Sequence, residues 1–296
     1  MGRKVIDRTG EEVLNNFGSK MIVKEYRSAK DIDVYFPEYN WTSKCAQYSQ
    51  FKNGEIKCPY EARVFGKGYL GEGEYKVSEN GKLKKEYIIW RDMLRRCYDP
   101  KYYENKPIYK RCKVEEYLLN FQHMGKWIDE NYYEVPGEEM CLDKDILCKG
   151  NKVYSRDTCI FVPERINLLF VKRDNARGDY PIGVRLTPSG NYQALCDNGY
   201  GKQICLGTYS TKEEAFRVYK QYKENLIKET IDSYKGKIPE PYYSRLKTAM
   251  YNYEVEIDDW WIFFQKWRGN QTFLVFWIIS VRLKIKSKND EEIKRF

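Results

Sequence analysis

The chain has 296 residues, enough at ~150 residues per domain for two domains or three small ones. Its 52 Lys+Arg against 43 Asp+Glu leave a formal +9, a moderate excess that points toward a polyanionic partner. The single histidine, His123, excludes a zinc site built on several histidines and a His-Glu-x-x-His protease.

Residues 20–26 and 31–36 partly alternate apolar and polar, with Ser28-Ala29-Lys30 as the turn between them. Residues 1–70 therefore read as a β-rich, small barrel-like module or curled sheet. Gly66, Gly68, Gly71 and Gly73 follow in a charged stretch that lacks the Gly-Lys-Ser/Thr ending of a phosphate loop, and it reads as a linker or irregular loop. Over 83–97, Trp90, Leu94 and Cys97 recur at i, i+4, i+7, which predicts an amphipathic helix stopped by Asp99-Pro100. A second helix is expected over about 114–125 on Val114, Leu118 and Phe121; it would carry His123 as a partly buried helix residue. Residues 139–147 and 158–162 are strand-like, and 164–171 read as a short helix after Pro163.

Beyond the boundary at 178–181, three short strands are expected at 182–187, 191–197 and 202–206. Thr211-x-x-Glu214 is a capping-box pattern opening a helix along Ala215, Tyr219, Tyr222 and Leu226. The fold class is thus α+β: the module at 1–70, a helical region with a hairpin-then-helix at 83–171, a three-stranded antiparallel sheet packed on one helix at 180–230, and a helical, aromatic tail at 231–296.

One sheet face lies under the helix, with Val184, Tyr192, Ala194, Ile204 and Leu206 directed to it by alternation. Arg185, Thr187, Gln193, Leu195 and Gln203 then face out, with Lys202 beside them. Arg and Gln pair bidentately with guanine and adenine edges in the major groove, which accepts β-strands. The words Gly183-Val184-Arg185, Leu206-Gly207-Thr208-Tyr209 and Glu213-Glu214-Ala215 occur in the order of the APETALA-type (ethylene-response-factor) DNA-binding domain, which residues 180–228 resemble. The resemblance implies binding to double-stranded DNA. Ser189 and Cys205 stand where that family carries DNA-face tryptophans, and Asp197 stands where many relatives carry Arg.

Residues 85–170 resemble the HNH-type homing-endonuclease-like proteins of phages and mobile elements. The matching words include Trp90-x-x-Met93-x-x-Arg96-Cys97-Tyr98-Asp99-Pro100, Leu142-Asp143-Lys144-Asp145 and Ile166-Asn167. The resemblance implies a ββα-metal centre in which Asp143 and Asn167 hold Mg2+, with catalysis carried by Asp143, Lys144 and Asn167. Lys144 stands where the best-known members place a histidine base, and a protonated lysine is a poor base. The nuclease centre therefore reads as degenerate, with Asp143, Asp145 and Asn151 holding the hairpin loop. Residues 10–60 more loosely resemble small Src-homology-like barrel modules of phage proteins.

No two of the nine cysteines have Cys-x-x-Cys spacing, which argues against a zinc ribbon. Their odd number and the lack of an apolar signal core at the start point to a reducing cytoplasm, that of the host cell if the protein is phage-encoded. The longest apolar run, 273–281, is too short for a transmembrane segment. With Trp260-Trp261-Ile262-Phe263-Phe264 it makes the tail a surface for self-association or a protein partner. The reading that results is a sequence-selective duplex-DNA-binding protein of homing-endonuclease ancestry. The alternatives are a Mg2+-dependent DNA-nicking endonuclease and DNA-binding modules repurposed for protein interaction.

Overall fold

The computed structural model describes residues 6–171 and 180–256. Of the tail expected at 231–296, residues 257–296, which carry the apolar runs and the self-association surface expected of them, lie outside the described residues. The architecture is mixed α+β, with several antiparallel sheets and eight α-helices among the described residues. The chain divides into two compact units at Pro163 and Glu164.

The first unit opens with four strands, β1 (Glu12–Leu14), β2 (Lys20–Ser28), β3 (Asp31–Phe36) and β4 (Trp41–Ala46). They form an antiparallel meander in the order β1-β2-β3-β4, so β1 and β4 are the outer strands. The alternation in β3 is strict: Ile32, Val34 and Phe36 are buried while Asp31, Asp33 and Tyr35 are half-buried. These three pack with Met21 and Val23 of β2 and with Phe51 of α1 (Tyr48–Lys52). Bulges in the β2–β3 and β3–β4 ladders increase the twist of the sheet.

The Gly-rich stretch is not a loose linker. A side chain at Gly68 would collide with Trp90 and Leu94, and one at Gly73 with Gln122. Gln122 reinforces the path, donating to the carbonyls of Leu70 (3.2 Å) and Tyr75 (3.0 Å) and accepting from the Tyr75 N–H (2.9 Å). These glycines give room for close packing, which composition alone does not distinguish from flexibility.

After a hairpin of β5 (Ser78–Glu79) and β6 (Lys82–Leu83), α2 (Lys85–Tyr98) buries Trp90, Met93, Leu94 and Cys97, the face its spacing predicts. Next come α3 (Pro100–Asn105), a 3-10 turn at Pro107–Arg111 and β7 (Lys113–Val114). The single helix expected at 114–125 is two, α4 (Glu116–Leu119) and α5 (Phe121–Asn131). Asn120 breaks it: its backbone is extended, and its side chain accepts the Gln122 N–H to cap α5. Trp90 joins both sides of the break, its ring tilted against Phe121 at 5.3 Å between centroids and its N–H donating to the Leu118 carbonyl at 2.9 Å.

β8 (Met140–Asp143) pairs antiparallel with β10 (Ile160–Pro163), and β9 (Val153–Tyr154) pairs parallel with β7. β8 stops at Asp143, short of the strand expected to 147, because the Asp143 carboxylate turns the chain there. The second unit then begins with α6 (Glu164–Leu169). Its sheet is β11 (Val184–Leu186), β12 (Tyr192–Asp197) and β13 (Gln203–Tyr209), antiparallel in that order. The helix α7 (Lys212–Ser233) packs on one face and α8 (Tyr242–Tyr251) packs on α7. Val184, Ala194 and Cys196 meet Ala215, Phe216 and Tyr219 in the core between them. The capping box is half realised: Thr211 accepts the Glu214 N–H, but the Glu214 carboxylate accepts the Ser210 hydroxyl instead. No helix of the described residues is long and apolar enough to cross a membrane.

Candidate nucleic-acid interface

With α7 on one face of the second unit's sheet, the pairing register decides what stands on the other. Arg185 faces Gln193, Gln193 faces Thr208, and Asp197 faces Gln203. Between Ala194 and Leu195 the register slips by one, so that Leu195 faces Cys205 and Leu206 is left without a partner. Leu206 packs into the core under α7. The bulge thereby keeps Leu195, Cys205 and Gln203 on the outer face with Arg185 and Gln193.

Three of these side chains are joined in a row across the strands. Arg185 Nη2 donates to Gln193 Oε1 at 2.8 Å, and Gln193 Nε2 donates to Cys205 Sγ at 3.0 Å. Arg185, Cys205, Gln203 and Thr208 are exposed; Gln193 and Leu195 are half-buried. Thr208 had no place in the sequence-based strand, which ended at 206. Simple alternation from Cys205 would put Thr208 on the inner face; the extra residue of the bulge turns it outward.

Two expected contacts sit at the sheet's ends. Thr187 follows β11, and its hydroxyl closes the turn by donating to the Asn191 carbonyl at 2.9 Å. Lys202 precedes β13 and is exposed, with its backbone N–H on Asn198 Oδ1. Asp197 spends one carboxylate oxygen on the Gly199 N–H at 2.7 Å. At the tip of that hairpin loop, exposed Tyr200 lies under the Arg165 guanidinium, 4.1 Å from ring centroid to carbon.

In the first unit, the hairpin residues are engaged with one another. Asp143 Oδ1 accepts the backbone N–H groups of Asp145 and Ile146, both at 2.7 Å. Asn151 donates to the carbonyls of Lys144 and Val153, both at 2.7 Å. Burial, and then the neighbouring Asp145 charge, push the Asp143 carboxyl up to about 6, against the pull of the two N–H groups.

The Lys144 ammonium donates to Asp145 Oδ2 at 3.0 Å and lies over the rings of Tyr154 (5.6 Å) and Tyr109 (6.0 Å). Burial lowers its pKa, but the Asp145 carboxylate outweighs that and raises it above the usual lysine value. Nζ is therefore protonated at neutral pH and has no lone pair to take a proton. Asn167 belongs to α6 of the second unit, where it is half-buried.

Cys97, Cys112 and Cys159 are free, buried thiols, and burial pushes Cys97 and Cys159 up to about 12. They behave as small hydrophobes. Among the described residues, no group of three or more His, Cys, Asp or Glu side chains is arranged to hold a metal ion. His123, on α5, stacks on Tyr117 at 4.2 Å and pairs its Nδ1 with the Tyr117 carbonyl at 3.1 Å. Comparison with family models, with curated proteins and with solved structures finds no match to this chain.

Proposed function

We propose that the chain binds double-stranded DNA through the outer face of the sheet β11–β13. The observation that carries this reading is the row Arg185–Gln193–Cys205, built across three strands on the face that α7 leaves open. An Arg and a Gln fixed side by side offer the donor and acceptor pairs that distinguish guanine and adenine in the major groove. The mutual hydrogen bond sets their spacing before DNA arrives, which lowers the ordering cost of binding. In this reading residues 180–230 act as an APETALA-type module, 83–171 as an HNH-like ββα region and 1–70 as a barrel-like adaptor. The ancestry is that of phage homing endonucleases, and the working compartment is the host cytoplasm.

The hairpin of the first unit is, in the same reading, a nuclease scaffold that does not cut. The support is the protonated Lys144 at the base position and the Asp143 oxygen already committed to two backbone N–H groups. The test is supercoiled DNA incubated with the purified protein, with Mg2+ and with chelator, run on a gel. A shift in both conditions without nicking is expected. Mg2+-dependent nicking would instead establish the endonuclease alternative, and no shift in either would end the DNA-binding reading.

A further inference from the structure

Between Arg95 and Lys113 the chain carries seven basic side chains and two acidic ones, so this short segment holds more than half of the formal +9. Arg96 turns inward, donating to the Leu142 carbonyl at 3.4 Å, while five of the other six basic side chains are exposed. The 3-10 turn Pro107–Arg111 folds back on α2 and α3, and Tyr102 is the pin. The Arg95 guanidinium carbon lies 5.4 Å and the Lys106 ammonium 5.6 Å from the Tyr102 ring centroid. Tyr102 in turn meets Tyr109 edge-on at 5.6 Å. Lys113 extends the ridge into β7, where its N–H bonds the Lys152 carbonyl at 2.8 Å.

Lys101, Lys106, Lys110, Arg111 and Lys113 are all exposed, and none takes part in an ion pair among the described residues. Of the two acids, Asp99 is turned back to cap α3, its Oδ1 accepting the Lys101 N–H at 3.0 Å. Arg95 has a counter-charge in Asp92, 3.6 Å away, and Glu104 is exposed within the segment. The five exposed cations have no ion-pair partner among the described residues, and like charges so placed repel one another. Tyr102 holds the Arg95 and Lys106 side chains by cation–π contact without neutralising them. A run of exposed, unpaired cations suits the repeated negative charge of a phosphate backbone.

We infer that the ridge from Arg95 to Lys113 is a second nucleic-acid contact, carried by the first unit and separate from the sheet β11–β13. It holds phosphates and reads no bases.

The experiment uses the full chain and a fluorescent duplex, with affinity followed over a series of salt concentrations. One variant carries Lys106→Gln, Lys110→Gln, Arg111→Gln and Lys113→Gln. A control carries the same change of charge on the N-terminal sheet module: Lys24→Gln, Lys30→Gln, Lys44→Gln and Lys52→Gln. The ridge variant is expected to bind at least ~10-fold more weakly at low salt. Its slope of log K against log salt should fall by ~0.9 for each phosphate that the variant no longer neutralises. The control should keep most of the slope. Should the ridge variant unfold, the single changes Lys110→Gln and Arg111→Gln are each expected to lower the slope by ~1.

Equal losses from ridge and control would reduce the effect to net charge and overturn the inference. An unchanged slope in the ridge variant would overturn it as well, leaving some other partner, such as an acidic protein, for that surface. Arg185→Ala separates this from the sheet's role. If it relaxes base preference while the ridge variant binds normally, the sheet reading stands and the ridge fails. The opposite result removes the sheet and leaves the ridge.

Discussion

The Lys144 ammonium, on a residue only 6% exposed, sits 3.0 Å from the Asp145 carboxylate. Two successive residues thus form an ion pair at the turn that ends β8, where the HNH-type resemblance calls for a proton acceptor. Asp145 is the more open partner, with its side chain about a third exposed, so water screens the pair from that side. The ammonium is the group that depends on it.

Lys144→Gln should lower stability by about 1–3 kcal/mol, less than the full cost of orphaning a buried charge because Asp145 retains water. Denaturant unfolding of Lys144→Gln, Asp145→Asn and the double variant measures the coupling. A double variant as stable as the better single one would confirm that each charge is held for the other. Strict additivity would mean that the pair contributes nothing. Lys144→His, folded and assayed with Mg2+, should remain unable to nick DNA, since a base alone does not free the Asp143 oxygen from its two N–H partners. Restored nicking would show a nuclease centre lacking only its base.

Asp143 gives a pH dependence with a definite sign. Its folded pKa of about 6 lies above the unfolded value of ~3.9, so between those limits the folded state binds more protons. Stability from this group is greatest below pH ~4 and is lost as pH rises toward 6, then levels off. Asp143→Asn keeps an oxygen for the Asp145 and Ile146 N–H groups and should remove that part of the slope. It should gain on the order of 1–3 kcal/mol over the parent at pH 7. Unfolding curves from pH 4 to 7 for both proteins check this. Added Mg2+ should leave the parent's midpoint at pH 7 unchanged; a rise with Mg2+ would mean that the carboxylate holds the ion.

Arg185 is the residue on which the sheet reading turns. If it reads a guanine edge, Arg185→Ala should cost about 1–3 kcal/mol of affinity and relax preference at one position. It should also free Gln193 to reorient, so Gln193→Ala on top of it should cost less than Gln193→Ala alone. The control is Arg217→Ala, an exposed arginine on α7, the helix that covers the other face. A binding-site selection against random duplexes distinguishes the two. Equal losses from both arginines would place the interface elsewhere.

What could be read from the chain alone divides along physical lines. The strands β2 and β3 and the helix α2 follow from local alternation or helical spacing, and their buried residues are those the pattern selects. The succession β8, β10, α6 follows in order only, since all four residues of β10 are buried and show no alternation. Non-local features were not legible. Gly68 resembles a linker glycine until Trp90 packs against it, and Asn120 interrupts a run whose spacing remains helical. The bulge at Ala194/Leu195 adds a residue that no alternation rule locates, although it decides which way Cys205 and Gln203 face. For the hairpin, residue types showed that Lys144 is a poor base. That burial and Asp145 together fix its protonation follows only from the fold.

Gly183 offers a test of the second unit that does not involve DNA. Its φ of +77° lies in the left-handed region, which costs a residue with a side chain on the order of 1 kcal/mol. A Cβ placed there would also overlap the ring of Tyr219, which is buried against Ala194 and Phe216 in the core between sheet and α7. The ring cannot move aside without opening that core, so the steric term adds to the backbone term. Gly183→Ala should therefore destabilise the unit by about 3 kcal/mol or more. Gly190, in the turn between β11 and β12, has a similar φ of +83° but open space around it. Gly190→Ala should show the backbone cost alone, about 1 kcal/mol. Thermal unfolding of the two variants measures the difference. Equal midpoints would mean that Tyr219 yields freely and that the packing of β11 on α7 is looser than the contact implies.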